Sequence, residues 1–182
     1  DIPASVIESG VKMSNLRQIA GDIMKEQGWR CRCIRCREVG HRTRDGQVQP
    51  PLEEVELRTL TYDASGGCEF FISLEHVPSD TLIGYARLRD PSEDTEKLVA
   101  DDAAIIRELK VFGRQLSLGE EGMDAWQHRG MGAGLMKEAE RIVKEVIGKK
   151  RVMITSGIGA REYYRRMGYE REGPYMVKVQ GG

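Results

Sequence analysis

From Trp126 to Met136 the chain reads Trp-Gln-His-Arg-Gly-Met-Gly-Ala-Gly-Leu-Met, a turn carrying Gly130, Gly132 and Gly134 that runs straight into a helical pattern. Leu135, Met136, Ala139, Ile142, Val143 and Val146 recur at helical spacing, while Lys137, Glu138, Glu140, Arg141, Lys144 and Glu145 fill the other face. This predicts an amphipathic helix with one face on a core and a glycine turn at its N-terminus. Glycine lets the backbone approach a ligand closely, and free N–H groups at the positive end of a helix suit an anion. The short apolar run Arg151–Thr155 follows the helix, so it should lie parallel to a neighbouring strand, because a helix separates it from the strand before. A helix joining strands points to an α/β domain.

Earlier in the chain, residues 1–12 read as an irregular lead-in. Ser14 offers an N-cap to a stripe of Leu16, Ile19, Ala20, Ile23 and Met24 that ends at Gly28. Trp29 to Arg44 follows as a loop that combines Cys31, Cys33 and Cys36 with Arg30, Arg32, Arg35, Arg37, Arg42 and Arg44. Asp45-Gly46 and Pro50-Pro51 mark turns, which suggests a small N-terminal module over residues 1–50 and a main domain over 51–182. Beyond it the periodicity becomes alternating. Val55, Leu57, Leu60 and Tyr62 suggest a strand with one slip or bulge. Runs at 70–74 and 82–89 flank Pro78-Ser79-Asp80 as an antiparallel hairpin, and residues 104–112 form the next strand. Polar loops at 90–102 and 113–125 flank that strand. After Thr155, a second helix over 160–167 carries Tyr163 and Tyr164, and Glu170–Val179 closes as a hairpin around Gly173-Pro174.

The 182 residues suffice for a substantial core, and 31% charged residues with a net charge of -1 exclude a bulk polyelectrolyte, so any nucleic-acid surface must come from local clustering. No apolar run approaches the roughly 20 residues that span a bilayer, so no membrane partner is expected. The start Asp1-Ile2-Pro3 lacks an initiator Met and a signal pattern and reads as part of a longer protein. Of the four cysteines three crowd together, a spacing that fits metal ligands in a reducing compartment better than a disulfide framework. Cys-x-Cys-x-x-Cys suits zinc or an iron–sulfur cluster, both of which take thiolates held on a tight turn.

The order strand, loop, Gln-x-x-Gly-x-Gly, helix, strand, short helix with Tyr-Tyr, strand suits a phosphate-bearing thioester or a nucleotide. A dinucleotide fingerprint requires its glycines directly after a strand and an acidic residue about 20 positions on. Here Trp126 to Arg129 intervene and Lys149, Lys150 and Arg151 occupy that end. A P-loop is excluded by the missing Gly-Lys-Ser/Thr ending. Taken alone, the glycines fit a merely structural loop equally well.

Gln127 to Gly132, between the strand at 105–112 and the later Tyr163-Tyr164, resembles the acetyl-CoA site of GNAT-type N-acetyltransferases. Four longer stretches, Ile106–Gly113, Leu135–Ile142, Ser156–Tyr169 and Gly173–Lys178, together with Asp1-Ile2-Pro3, Asn15-Leu16-Arg17 and Arg37–Gly40, resemble the C-terminal acetyltransferase domain of the Elongator catalytic-subunit family, which modifies the wobble uridine of tRNA. The resemblance implies a twisted mixed sheet whose central strands splay to admit acetyl-CoA, preceded by a helix and a zinc-binding loop. It implies that the strand at Glu108, Leu109, Lys110 and Val111 pairs with the pantetheine arm. The turn Gln127, His128, Arg129, Gly130, Met131 and Gly132 would then hold the pyrophosphate. Tyr163 and Tyr164 match the family's tyrosine pair; one phenol would protonate the departing coenzyme A thiolate, and Tyr164 is also expected at the cofactor. Glu108 suits a general base but fits a salt-bridged carboxylate better.

The family's radical S-adenosylmethionine domain binds its iron–sulfur cluster through cysteines spaced three and then two apart, which Cys31, Cys33 and Cys36 do not match. Zinc is therefore expected there, with His41 as fourth ligand and His76 or Cys68 as fallbacks. The surrounding arginines would contact tRNA phosphates. S-adenosylmethionine, the iron–sulfur cluster and other Elongator-type subunits belong to the full-length enzyme, which is expected in the cytoplasm. The alternatives are a protein lysine N-acetyltransferase and a non-catalytic module that binds acetyl-CoA or tRNA.

Overall fold

The computed structural model describes residues 4–6, 8–10, 13, 15–44, 50–91, 102–113 and 130–181. The chain divides into two compact units, Asp1–Cys36 and Arg37–Gly182. In the first, helix α1 (Leu16–Glu26) ends at Gly28, whose φ of +71° is the left-handed turn that glycine adopts without strain. Ser14, expected to cap it, lies outside the described residues. Asn15 occupies the cap position without a side-chain bond. None of the residues of α1 is buried, although its stripe is present.

The stretch expected as an arginine-rich loop instead folds into two short helices, α2 (Ile34–Arg37) and α3 (Val39–Arg44). Arg37 and Arg42 explain part of this. Arg37 pairs with Glu75 at 2.5 Å and Asp80 at 2.9 Å, and Arg42 donates to the carbonyls of Ser79 and Asp80. These bonds pin Arg37 and α3 to a turn of the main sheet, which takes two of the six arginines out of the phosphate-contact set. Val39 completes the attachment by burying against Leu82, Ile83, Tyr85 and Phe112.

The main unit is a seven-stranded mixed sheet in the order β1-β2-β3-β4-β5-β7-β6. Strands β1 (Val55–Ala64), β2 (Gly67–His76), β3 (Thr81–Asp90) and β4 (Ala103–Val111) form an antiparallel meander. Strand β5 (Arg151–Thr155) joins β4 in parallel, as the intervening helix requires. The strands β6 (Glu170–Glu172) and β7 (Tyr175–Val179) close the sheet as the expected hairpin, with β7 on β5.

The slip expected in β1 does not occur: all ten residues pair with β2 in one register. β1 is an edge strand exposed on both faces, so nothing selects alternation there, and Leu57, Leu60 and Tyr62 stand in solvent.

Helix α4 (Met131–Arg141) lays Leu135, Met136 and Ala139 on one face of the sheet, against Phe70, Ile72, Ala86, Leu88, Ala104 and Ile106 among others. Removing this much apolar surface from water, at about 25 cal/mol per Å², is the main stabilising term of the unit. From Ile142 to Ile147 the helix widens into π-helical turns. The wider turn alters the spacing, so Val146, which ordinary helical spacing assigns to the core, is exposed. Helix α5 (Arg161–Arg165) follows a 3-10 turn at Ile158–Ala160. No helix among the described residues is long and apolar enough to cross a membrane.

Candidate functional site

The sheet forks at its centre. β4 and β5 pair through only four positions, Ala103 to Ile106 opposite Arg151 to Ile154. Beyond Ile106, among the described residues, the β5-side edge of β4 from Arg107 to Val111 has no strand beside it. On its other edge β4 stays paired with β3, but the register jumps from Arg87↔Glu108 to Leu88↔Ile106 and leaves Arg107 as the extra residue of a bulge. Bulges bend a strand and raise its twist, and this one falls immediately after the last residue of β4 that pairs with β5.

Three elements converge on this fork. Gly130 takes the left-handed φ of +73° and caps α4, its carbonyl accepting from the Gly134 N–H at 3.0 Å. Gly132, the second residue of α4, packs so closely that a Cβ built on it would lie 2.5 Å from the Tyr163 hydroxyl oxygen and 3.7 Å from Val111 Cγ2. The start of α4, the end of β4 and the exposed side of α5 therefore surround one point, joining Val111, Gly130, Met131, Gly132 and Tyr163 from three separate stretches of sequence. Gln127, His128 and Arg129 lie outside the described residues.

Tyr163 and Tyr164 differ in environment. Tyr164 is buried between Tyr163, at 5.3 Å edge-on, and Tyr169, at 6.1 Å. Tyr163 is half-buried and its hydroxyl makes no hydrogen bond among the described residues. Burial raises both phenols above their ordinary value, and the neighbouring Tyr163 adds to the shift of Tyr164. Each therefore keeps its proton at neutral pH and is available as a donor. Tyr169 is anchored by donating to Glu140 at 2.9 Å, and Glu140 also accepts from Lys178 at 2.8 Å.

Leu109 and Val111 pack toward the core under α4, whereas Glu108 engages side chains of β3. Tyr85 donates to Glu108 at 2.5 Å and Arg87 stands 3.9 Å away. Glu108 is thus a paired carboxylate. Lys110 rests over the Phe112 ring at 5.1 Å.

In the first unit the sulfurs of Cys31, Cys33 and Cys36 all lie within 4.8 Å of one another, close enough to share one metal ion. Arg17, which sequence reasoning did not single out, donates to Cys33 at 3.3 Å and to Cys36 at 3.4 Å. The Cys36 backbone N–H and Arg17 hold the Cys33 thiol down at about 6, while burial pushes Cys36 up. The spacing of Arg17 one helix upstream carried no signal for this contact. His41 belongs to the second unit, where its Nε2 faces Glu38 at 3.3 Å. His76 has both nitrogens engaged, with Ser79 at 2.6 Å and Glu54 at 2.8 Å.

Comparison with known proteins agrees with this geometry. The acetyltransferase (GNAT) domain family matches residues 123–179. A tRNA uridine(34) acetyltransferase of Methanocaldococcus infernus is 50% identical over 98% of this chain and 34% of its own length. The human Elongator complex protein 3 is 43% identical over 98% of this chain and 32% of its own length. Among solved structures, the archaeal Methanocaldococcus infernus Elp3 with an N-terminal deletion superposes with a TM-score of 0.85 at 50% identity, over 98% of this chain and 42% of that one. The chain thus spans about a third of the length of the curated relatives it matches.

Proposed function

We propose that this chain, whose residues 123–179 match the acetyltransferase (GNAT) domain family and which is 50% identical to a tRNA uridine(34) acetyltransferase over 98% of its length, is the acetyl-CoA-binding, acetyl-transferring domain of a tRNA wobble-uridine modifying enzyme. The observation that carries this reading is the fork, whose free β4 edge opens beside a glycine-capped helix start and a protonated tyrosine. An extended pantetheine arm can add to the open edge at Glu108, Leu109, Lys110 and Val111 as a further strand does. The N–H groups of Gly130, Met131 and Gly132, with those of Gln127, His128 and Arg129, would hold the pyrophosphate by charge-assisted bonds.

Bound there, acetyl-CoA supplies an activated acyl group whose thiolate leaves when the acceptor is acylated. One phenol of the pair Tyr163 and Tyr164 is the chain's proton donor for that thiolate. Tyr163 presents its hydroxyl to the start of α4, and Tyr164 braces it edge-on. Gly132, having no side chain, lets the phenol pack directly against the start of α4. Glu108, tied to Tyr85 and Arg87, is better suited to holding the strand than to accepting a proton.

For zinc, the donor set fits in kind and spacing: three thiols in mutual contact range, with Arg17 favouring the thiolate form of Cys33. His41 as a fourth ligand would require it to leave Glu38. The site would stiffen the lead-in, and the nearby Arg30, Arg32 and Arg35 would face tRNA phosphates. The S-adenosylmethionine and iron–sulfur chemistry falls outside these residues, since no cysteine triad with the required spacing occurs in the sequence. We place the enzyme in the cytoplasm, working with that further domain and with Elongator-type subunits.

The test is coenzyme A release from acetyl-CoA with and without tRNA, in this chain and in the longer protein. Stimulation by tRNA in the longer protein supports the reading. Release indifferent to tRNA there, with acetylation of a lysine peptide instead, would replace it by a protein acetyltransferase.

A further inference from the structure

Glu69, on β2, is 1% exposed, and a carboxylate so buried is tolerated only when paired. Its Oε1 accepts from two arginines, Arg89 at 3.1 Å and Arg107 at 2.7 Å, while Oε2 lies 3.7 Å from Arg87 without a hydrogen bond. The two donors are not equivalent. Arg89 sits directly across from Glu69 on the adjacent strand and also donates to the carbonyls of Ala64 and Ser65, so it ties the local β1–β2 turn. Arg107 reaches over β3 from β4, and it is the one residue that the β3–β4 ladder skips.

That residue is where β4 changes phase. Ala104 and Ile106 face α4 before the bulge; Leu109 and Val111 pack on the same core after it. A regular strand would instead send Glu108 and Lys110 under α4. The apolar pattern therefore demands one extra residue between Ile106 and Leu109, but either Arg107 or Glu108 could supply it. A bulged residue has no ladder partner to fix its side chain. The buried Glu69 selects Arg107. The β4–β5 pairing ends at Ile106, immediately before this point, so the choice also sets where the fork begins.

We infer that Glu69 is a positioning residue for the cofactor slot: by holding Arg107 across the sheet it fixes the β4 bulge and thereby the position of the free strand edge that receives the coenzyme. This rests on the reading of the fork as the acetyl-CoA slot. Binding of acetyl-CoA to the 182-residue chain, measured calorimetrically alongside thermal unfolding, separates this role from a purely structural one. Glu69→Gln and Arg107→Gln should weaken binding by on the order of tenfold or more, as displacement of a positioned element by about 1 Å does. Arg107→Lys, which keeps the ion pair, should recover most of it. Arg89→Gln removes the other donor from the same oxygen; it should lower the unfolding temperature yet leave acetyl-CoA affinity within about twofold of wild type, since its bonds lie away from the fork. Arg107 is half-exposed, so its variants test the idea even where Glu69→Gln fails to fold. Wild-type affinity in Arg107→Gln, or equal loss in Arg89→Gln, would overturn the inference. Absence of binding in the wild-type chain would overturn the slot reading itself, before any substitution is compared.

Discussion

Replacing Gly132 by alanine would place a methyl carbon 2.5 Å from the Tyr163 hydroxyl oxygen, 3.6 Å from Tyr163 Cζ and 3.7 Å from Val111 Cγ2. Only the first contact is impossible. To restore an ordinary separation the phenol oxygen must withdraw by about 1 Å, a small rotation that costs no more than ~1 kcal/mol at the end of a flexible side chain. Gly132 lies in the first turn of α4, where alanine is the better helix former by up to about 1 kcal/mol. The two effects nearly cancel, so the unfolding temperature should move by no more than roughly 2–4 °C. Catalysis should not be spared, because about 1 Å of displacement at a proton donor costs on the order of a hundredfold. The assay is coenzyme A release from acetyl-CoA in the presence of tRNA. Tyr163→Phe removes the clashing oxygen and leaves Cζ in ordinary contact. The double variant should therefore be no slower than Tyr163→Phe alone. A Gly132→Ala protein with a near-wild-type rate would refute the reasoning. Fully additive losses would show that the glycine acts independently of the hydroxyl.

Because burial raises both phenols, the acid function should persist as pH rises through the ordinary tyrosine value near 10; a kcat profile whose alkaline limb falls below that value and vanishes in Tyr163→Phe or Tyr164→Phe would contradict this. Cys33→Ser should lower bound zinc well below one equivalent by elemental analysis, and full retention would remove the thiol group as the metal site. Glu140→Ala strands the hydroxyl of the fully buried Tyr169 and frees Lys178, which should cost about 2–3 kcal/mol and be visible as a drop in thermal unfolding temperature. Glu140→Gln should cost less, because it can still accept from the phenol; equal stability of Glu140→Ala and wild type would show the network to be idle.

Part of the slot is legible in the sequence: the glycines at 130 and 132 mark a turn and a close approach. The phase change in β4 is not, because residues 104–112 read as one regular strand in which Glu108 would share a face with Ile106, whereas the structure puts Leu109 and Val111 there. What the sequence left open was the partner of each. No local pattern says that Gly132 would meet Tyr163, some thirty positions on, or that Glu69 would reach Arg107 across a third strand. The thiol triad was plain from its spacing, but Arg17 was not, because its contact depends on how a helix end and a turn fold back together. The arginine run reads as a phosphate-contact loop, since charge alone does not reveal that Glu75 and Asp80 wait on another element to bind Arg37.

The sequence by itself determined the order of elements, the helix and strand periods, the parallel placement of β5 and the resemblance that points to acetyl-CoA. These follow from backbone preference and from the alternation of apolar residues within a few positions, which act locally. Only the tertiary structure decided that β1 runs without a slip, that the end of the long helix unwinds and exposes Val146, that the fork opens after Ile106, and that Tyr163 rather than Tyr164 turns its hydroxyl to the start of α4. Each of those depends on register between strands and on which side chains compete for the same buried volume, quantities that no single stretch of chain contains.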